Sequence, residues 1–130
     1  MNQSTKGYKD NIEKETLDNP NFRTVLYSGK LQLVLMTLKP KEDIGKEIHN
    51  GHDQFFRIES GFGEFLIGDE TFNVKDGDAV IIPDGVMHNL TNTSETENLT
   101  LYTIYTPPEH KDGTVHVTKA DALADTEDHF

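Results

Sequence analysis

Residues 77–92 read GDAVIIPDGVMHNLTN. Gly77 follows Lys75 and Asp76 in a turn that feeds the apolar run Ala79–Ile82. Pro83 and Gly85 shape a second tight turn at the end of that run, because proline pre-sets φ and glycine tolerates positive φ. His88 then opens another extended stretch, where alternation lets its ring point inward. The segment therefore reads as strand, turn and strand, with an imidazole at the mouth of the second strand.

Strand signals continue on both sides. FRTVLY (22–27) and LQLVLMTL (31–38) are rich in branched and large apolar residues. A charged loop, KPKEDIG, leads to KEIH (46–49) and an Asn-Gly turn signal at 50–51. QFFRIE (54–59) and the tight SGFG follow, and EFLI and ETFNV flank GDE (68–70) as a hairpin. LTLYTIYT (99–106) is the last clear strand, stopped by the prolines at 107 and 108. Short strands separated by turn chemistry predict an all-β sandwich or small barrel. The expected organisation is a loosely held polar arm at 1–20, one barrel domain at 21–118 and a tail at 119–130 with a weak helix.

Composition narrows the function. A chain of 130 residues fits one domain, and no cysteine is present, so disulfides and thiolate metal sites are excluded. The 23 acids against 12 Lys and Arg leave a net charge of −11, which would repel a phosphate backbone. No nucleic acid partner is expected. No apolar run is long enough to span a bilayer and the N-terminal stretch has no signal-like apolar region, so a cytoplasmic protein without membrane partners is expected.

A second segment, GKEIHNGHDQFFRIESGFG (45–63), holds the other candidate ligands. Residues two apart on a strand share a face, so Glu47 and His49 point the same way. The Asn-Gly break interrupts the alternation before His52. Beyond it, Gln54, Phe56 and Ile58 share one face, and Phe55, Arg57 and Glu59 the other.

The skeleton Gly77, Pro83, Gly85, His88, Asn92 resembles the second cupin motif at every fixed position. Residues 45–61 resemble the first motif in part: Gly45, His49 and Gly61 fit, while Glu47 stands for the usual first histidine and Gln54 for the usual glutamate. The resemblance covers roughly residues 31–106, and the ending LYTIYTPPEHKDGTVHVTKADA is similar to that of small single-domain bacterial cupins labelled mannose-6-phosphate-isomerase-like. It implies a double-stranded β-helix (jelly-roll barrel), a homodimer, and one divalent metal ion held inside the barrel. Carried over by position, the ligands are Glu47, His49, Gln54 and His88, with His52 as the substitute for Gln54. The carboxylate is displaced from position 54 to 47, which preserves one negative charge on the ion. Nitrogen and oxygen donors of this kind suit iron, manganese, zinc, nickel or cobalt alike. His110 and His116, beyond the barrel strands, are expected at the surface or the mouth.

The function so implied is a metal-dependent enzyme acting on a small polar metabolite, of isomerase, oxygenase or decarboxylase type. The alternative is a non-catalytic protein that binds a small molecule in the same cavity. A sugar phosphate needs cations. Arg57 should face away from the metal, which leaves a few lysines near the motifs, among them Lys39, Lys41, Lys46 and Lys75. Met36, Leu38, Phe56, Ile58 and Leu90 suggest an apolar cavity wall, although Met36 and Leu38 read equally well as ordinary core. A carbonyl or carboxylate compound that chelates the metal fits these residues better. No catalytic residue is assigned.

Overall fold

Period-two alternation along the central strands builds two antiparallel sheets. In the computed structural model, which describes residues 7–128, the order is α1 (Ile12–Asp18), β1 (Arg23–Ser28), β2 (Gln32–Leu38), β3 (Asp53–Ser60), β4 (Phe62–Ile67), β5 (Glu70–Lys75), β6 (Ala79–Ile82), β7 (His88–Asn92), β8 (Leu99–Thr106), β9 (Val115–His116) and α2 (Lys119–Ala124). The larger sheet has six strands ordered β6-β3-β8-β2-β1-β9, and the smaller has three ordered β5-β4-β7. Bridges Asp43–Thr91 and Glu47–His88 lay residues 43–47 along the free side of β7. This is the expected all-β jelly roll.

The register of the large sheet sorts its inner face by polarity. Across β3, β8 and β2, one row is Ile58, Leu101 and Met36, and the next is Phe56, Thr103 and Val34. The row beyond is Gln54, Tyr105 and Gln32. All of these are buried. The barrel is thus apolar at one end and grades into buried amides and a phenol at the other. Phe56 and Phe65 meet edge to face across the core, with ring centroids 4.8 Å apart, which is worth about 1 kcal/mol beyond burial.

Two glycines permit close approach of neighbouring backbone segments. A Cβ on Gly61 would lie 2.5 Å from the Asn98 carbonyl oxygen, and one on Gly63 would lie 2.4 Å from that of Thr91. Asn92, the last residue of the second motif, is fully buried and fastens the strand ends. Its Nδ2 donates to the carbonyls of Leu38, Lys39 and Glu97 at 3.0, 3.1 and 2.8 Å.

The N-terminal segment departs from the expected loose arm. Asn11 caps α1 by accepting from Lys14 N, and Glu13 and Glu15 sit in the first turn, where the helix dipole favours acids. Thr16 is fully buried, and the Thr37 hydroxyl donates to the Asn19 carbonyl at 2.6 Å. The helix is short and docks through a threonine, so no apolar periodicity announces it; residues 1–6 of the arm lie outside the described residues. The tail helix forms, over Lys119–Ala124 only, with a Thr118–Asp121 capping box.

Candidate metal centre

Backbone pairing brings the two motifs together. Glu47 N donates to His88 O and His88 N to Glu47 O, both at 2.9 Å. Residues opposed in an antiparallel pair project to the same face, so the carboxylate and the imidazole converge. His49, two residues on, follows onto that face. The turns lock as well. Gly85 N donates to His49 O at 3.1 Å, Gly51 N to Asp84 Oδ1 at 2.7 Å, and Asp84 N to Asp53 Oδ1 at 3.0 Å.

The result is a cluster of Glu47, His49 and His88 whose donor atoms all lie within 4.8 Å of one another. His49 and His88 are 8% and 3% exposed. His88 Nδ1 lies 3.0 Å from Val86 O. A carbonyl only accepts, so the ring proton sits on Nδ1 and the Nε2 lone pair is free. His49 Nδ1 lies 3.3 Å from Glu109 Oε1, and its Nε2 lies 2.6 Å from Glu47 Oε2. That close approach lacks hydrogen-bond alignment: His49 Nε2 has no hydrogen-bond partner among the described residues. A nitrogen left without a hydrogen bond beside a carboxylate oxygen is donor chemistry that one cation can satisfy.

Gln54 is buried beside them on β3. Its Nε2 donates to Thr103 Oγ1 at 2.9 Å, while Oε1 has no partner among the described residues. An orphaned buried amide oxygen costs free energy unless something satisfies it. Both orphaned atoms therefore fit a divalent cation. His52 stands apart, with Nδ1 at 2.5 Å from Pro107 O and Nε2 at 3.2 Å from Glu109 Oε2.

Electrostatics agree. Burial pushes the His49 pKa down, but the carboxylates of Glu109 and Glu47 outweigh it and raise the value to about 9. Burial pushes Glu47 up, but the His49 partner more than offsets this and holds it below the usual carboxylate value. Burial lowers His88. The cluster thus offers an ionised carboxylate, a neutral imidazole and a second imidazole whose proton a metal would displace.

Glu109 was not anticipated. It lies past the prolines that end β8, and nothing in the local pattern links it to His49. Gln32 holds it in place: Oε1 accepts from Glu109 N and His110 N at 3.2 and 3.0 Å, and Nε2 donates to His110 O at 2.7 Å. Carboxylate, imidazole and vacant nitrogen then form the arrangement that fixes ligand orientation in metal sites.

The cluster opens on a cavity of about 320 Å³ lined by Glu47, His49, Glu109, Arg23 and Lys119, with Phe22, Ile44, Ile48, Ala122 and Leu123 as apolar wall. Met36, Leu38, Phe56, Ile58 and Leu90 are not that wall. They are fully buried core residues, because the inner face of a barrel this narrow is filled by its own side chains. Arg57 faces outward beside Glu59, as expected. His110 and His116 are 0% and 4% exposed, not surface residues. The tail folds back over them, and Asp128 and Asp125 pair with their rings.

A jelly-roll barrel with a Glu/His/His cluster at its polar end defines the class. The family model described as Cupin domain matches residues 34–105, and the chain belongs to the cupin family. It is 48% identical over 126 residues to the uncharacterized protein YrkC of Bacillus subtilis, covering 92% of this chain and 67% of that one. The crystal structure of BH2720 from Bacillus halodurans superposes with a TM-score of 0.90 at 44% identity, covering 93% and 96% of the two chains. A predicted oxalate decarboxylase from Thermotoga maritima gives a TM-score of 0.56 at 25% identity over 59% of this chain and 66% of that one. No helix among the described residues is long and apolar enough to cross a membrane.

Proposed function

We propose that this cupin is a metal-dependent enzyme whose substrate is a small carbonyl or carboxylate compound. Glu47, His49 and His88 hold one divalent cation, and Gln54 Oε1 is the fourth donor. The observation that carries this reading is the convergence of Glu47 and two buried histidines within 4.8 Å, with Glu47 and His49 in the wall of a cavity. Two histidines and one carboxylate with open positions suit a divalent first-row metal. When bound, such an ion polarises a carbonyl or carboxylate oxygen.

The chain's own residues do the rest. Glu109 fixes the His49 ring with Nε2 inward. The Val86 carbonyl fixes the tautomer of His88. Burial holds the Tyr105 phenol protonated beside the His49 ring, with centroids 5.4 Å apart. Its hydroxyl lies 3.3 Å from His110 Nε2, so Tyr105 backs the His49 ring edge-on while its own proton is engaged by His110. The likeness to a predicted oxalate decarboxylase supports a carboxylate substrate over a sugar phosphate. The protein is expected to act as a homodimer, and sedimentation at micromolar concentration that shows only monomer counts against this.

The test is metal analysis of untagged protein, then a panel of small carbonyl and carboxylate compounds with and without chelator. Stoichiometric metal, lost in Glu47→Ala, with turnover that one metal restores, is the expected result. Metal-dependent binding without turnover makes the protein a binder that uses the same chemistry. Metal-free wild type overturns the reading.

A further inference from the structure

Arg23 is a buried charge that the metal centre does not use. It opens β1, is 5% exposed, and lines the same cavity as Glu47 and His49. A guanidinium carries five N–H donors and is costly to bury unless they are met. Arg23 Nε has no hydrogen-bond partner among the described residues. Nη1 lies 3.2 Å from His116 Nδ1, the residue opposite it in the β1–β9 register. Arginine only donates, so His116 Nδ1 accepts and its proton sits on Nε2, which donates to Asp125 Oδ2 at 3.0 Å. A neutral imidazole braced by Asp125 thus orients the guanidinium without cancelling its charge. The Phe22 ring, 5.3 Å from Arg23 Cζ, backs it.

The other charged groups of the wall are engaged elsewhere. Lys119 pairs with Asp43, Glu47 with His49, and Glu109 with His49 and His52. With a divalent cation in place, the cavity's positive charge exceeds its negative charge, so an anion is the complementary ligand.

We propose, resting on the metal-centre reading, that Arg23 is the carboxylate-binding residue of this cavity. The ligand is a small acid with a carbonyl or hydroxyl oxygen adjacent to the carboxylate. A guanidinium fork matches a carboxylate bidentately, and one arginine balances one carboxylate, where a phosphate dianion would call for more cations.

The chain has two arginines, Arg23 and Arg57, so their Nε–H signals are separable by nitrogen-edited NMR and Arg57→Lys assigns them. Pyruvate and its uncharged analogue pyruvamide are titrated into zinc-loaded and chelator-stripped protein. The Arg23 signal is expected to move with pyruvate and not with pyruvamide, while Arg57 stays still. Arg23→Gln is expected to weaken pyruvate binding about tenfold or more and pyruvamide binding by a smaller factor. An Arg23 signal unmoved at saturating pyruvate, no pyruvate binding to wild type, or equal pyruvate affinity in Arg23→Gln overturns the assignment. The NMR arm needs folded wild type and the Arg57→Lys variant used for assignment, and does not depend on the Arg23 variant folding. Zinc content is read separately, so loss of the metal-centre reading leaves the stripped-protein titration to judge Arg23.

Discussion

His49 shows how much of a site rests on one neighbour. Its two nitrogens face two carboxylates, Glu47 and Glu109. Only Glu47 shares its segment, and only Glu47 could be read from the alternation. Glu109→Gln keeps the volume and removes the charge that orients the ring. Metal affinity is expected to fall about 10–100-fold, measured by competition with a chromophoric chelator, with the near-ultraviolet dichroism unchanged. Gln54 carries the opposite lesson. Its position was legible, and the structure adds that its oxygen is the orphaned atom while its nitrogen is spoken for by Thr103. Arg23 was passed over because it lies outside both motifs, and strand pairing alone brings it to the cavity.

At the scale of the elements, the motif glycines and amides hold strands at fixed spacing. Gly63 lies on β4 beside its ladder partner β7, and an added methyl would meet the Thr91 carbonyl. Neither backbone can yield without breaking ladder bonds. Gly63→Ala is expected to cost about 2 kcal/mol or more, read as a lowered urea midpoint. Gln32 on β2 is fully buried and fastens the loop that carries Glu109. Gln32→Leu leaves those backbone groups unmet, at about 1–3 kcal/mol. It is expected to weaken metal binding as well, because Glu109 loses its support; calorimetric titration with the metal alone checks this. The strands themselves were legible from alternation, as β3 shows: Gln54, Phe56 and Ile58 are buried and the residues between them are not. Helix α1 was not, because its packing runs through Thr16 and backbone caps, which leave no periodic apolar signal.

Over the whole molecule, the tail closes the fold onto its polar end. Asp128 is 2% exposed. It accepts from His110 Nδ1 at 2.5 Å, from Thr114 Oγ1 at 3.0 Å and from Lys111 N at 3.2 Å. Burial raises its pKa, but these donors, His110 foremost, more than offset that and hold it well below the usual carboxylate value. A depressed folded pKa contributes stability that is present in full above the unfolded value of about 3.9. That stability is lost as pH falls through the lowered folded value. Asp128→Asn is expected to lose roughly 3 kcal/mol at neutral pH. Its stability should then fall less steeply than wild type on acidification below about pH 4, followed by urea unfolding from neutral to acidic pH.

The sequence by itself determined the strands and motif turns and, through its resemblance to the cupin motifs, named Glu47, His49 and His88, which converge. Period-two alternation and turn chemistry are local facts that lead to an all-β sandwich or small barrel, and the motif skeleton narrows this to a jelly roll through its resemblance to the cupin motifs. The tertiary structure decided everything that depends on separate segments meeting. It set Glu109 behind His49, put Arg23 in the cavity wall, filled the expected apolar wall with core, and buried His110 and His116 under the tail. Those outcomes follow from strand register and loop closure across the whole chain, which no local pattern encodes.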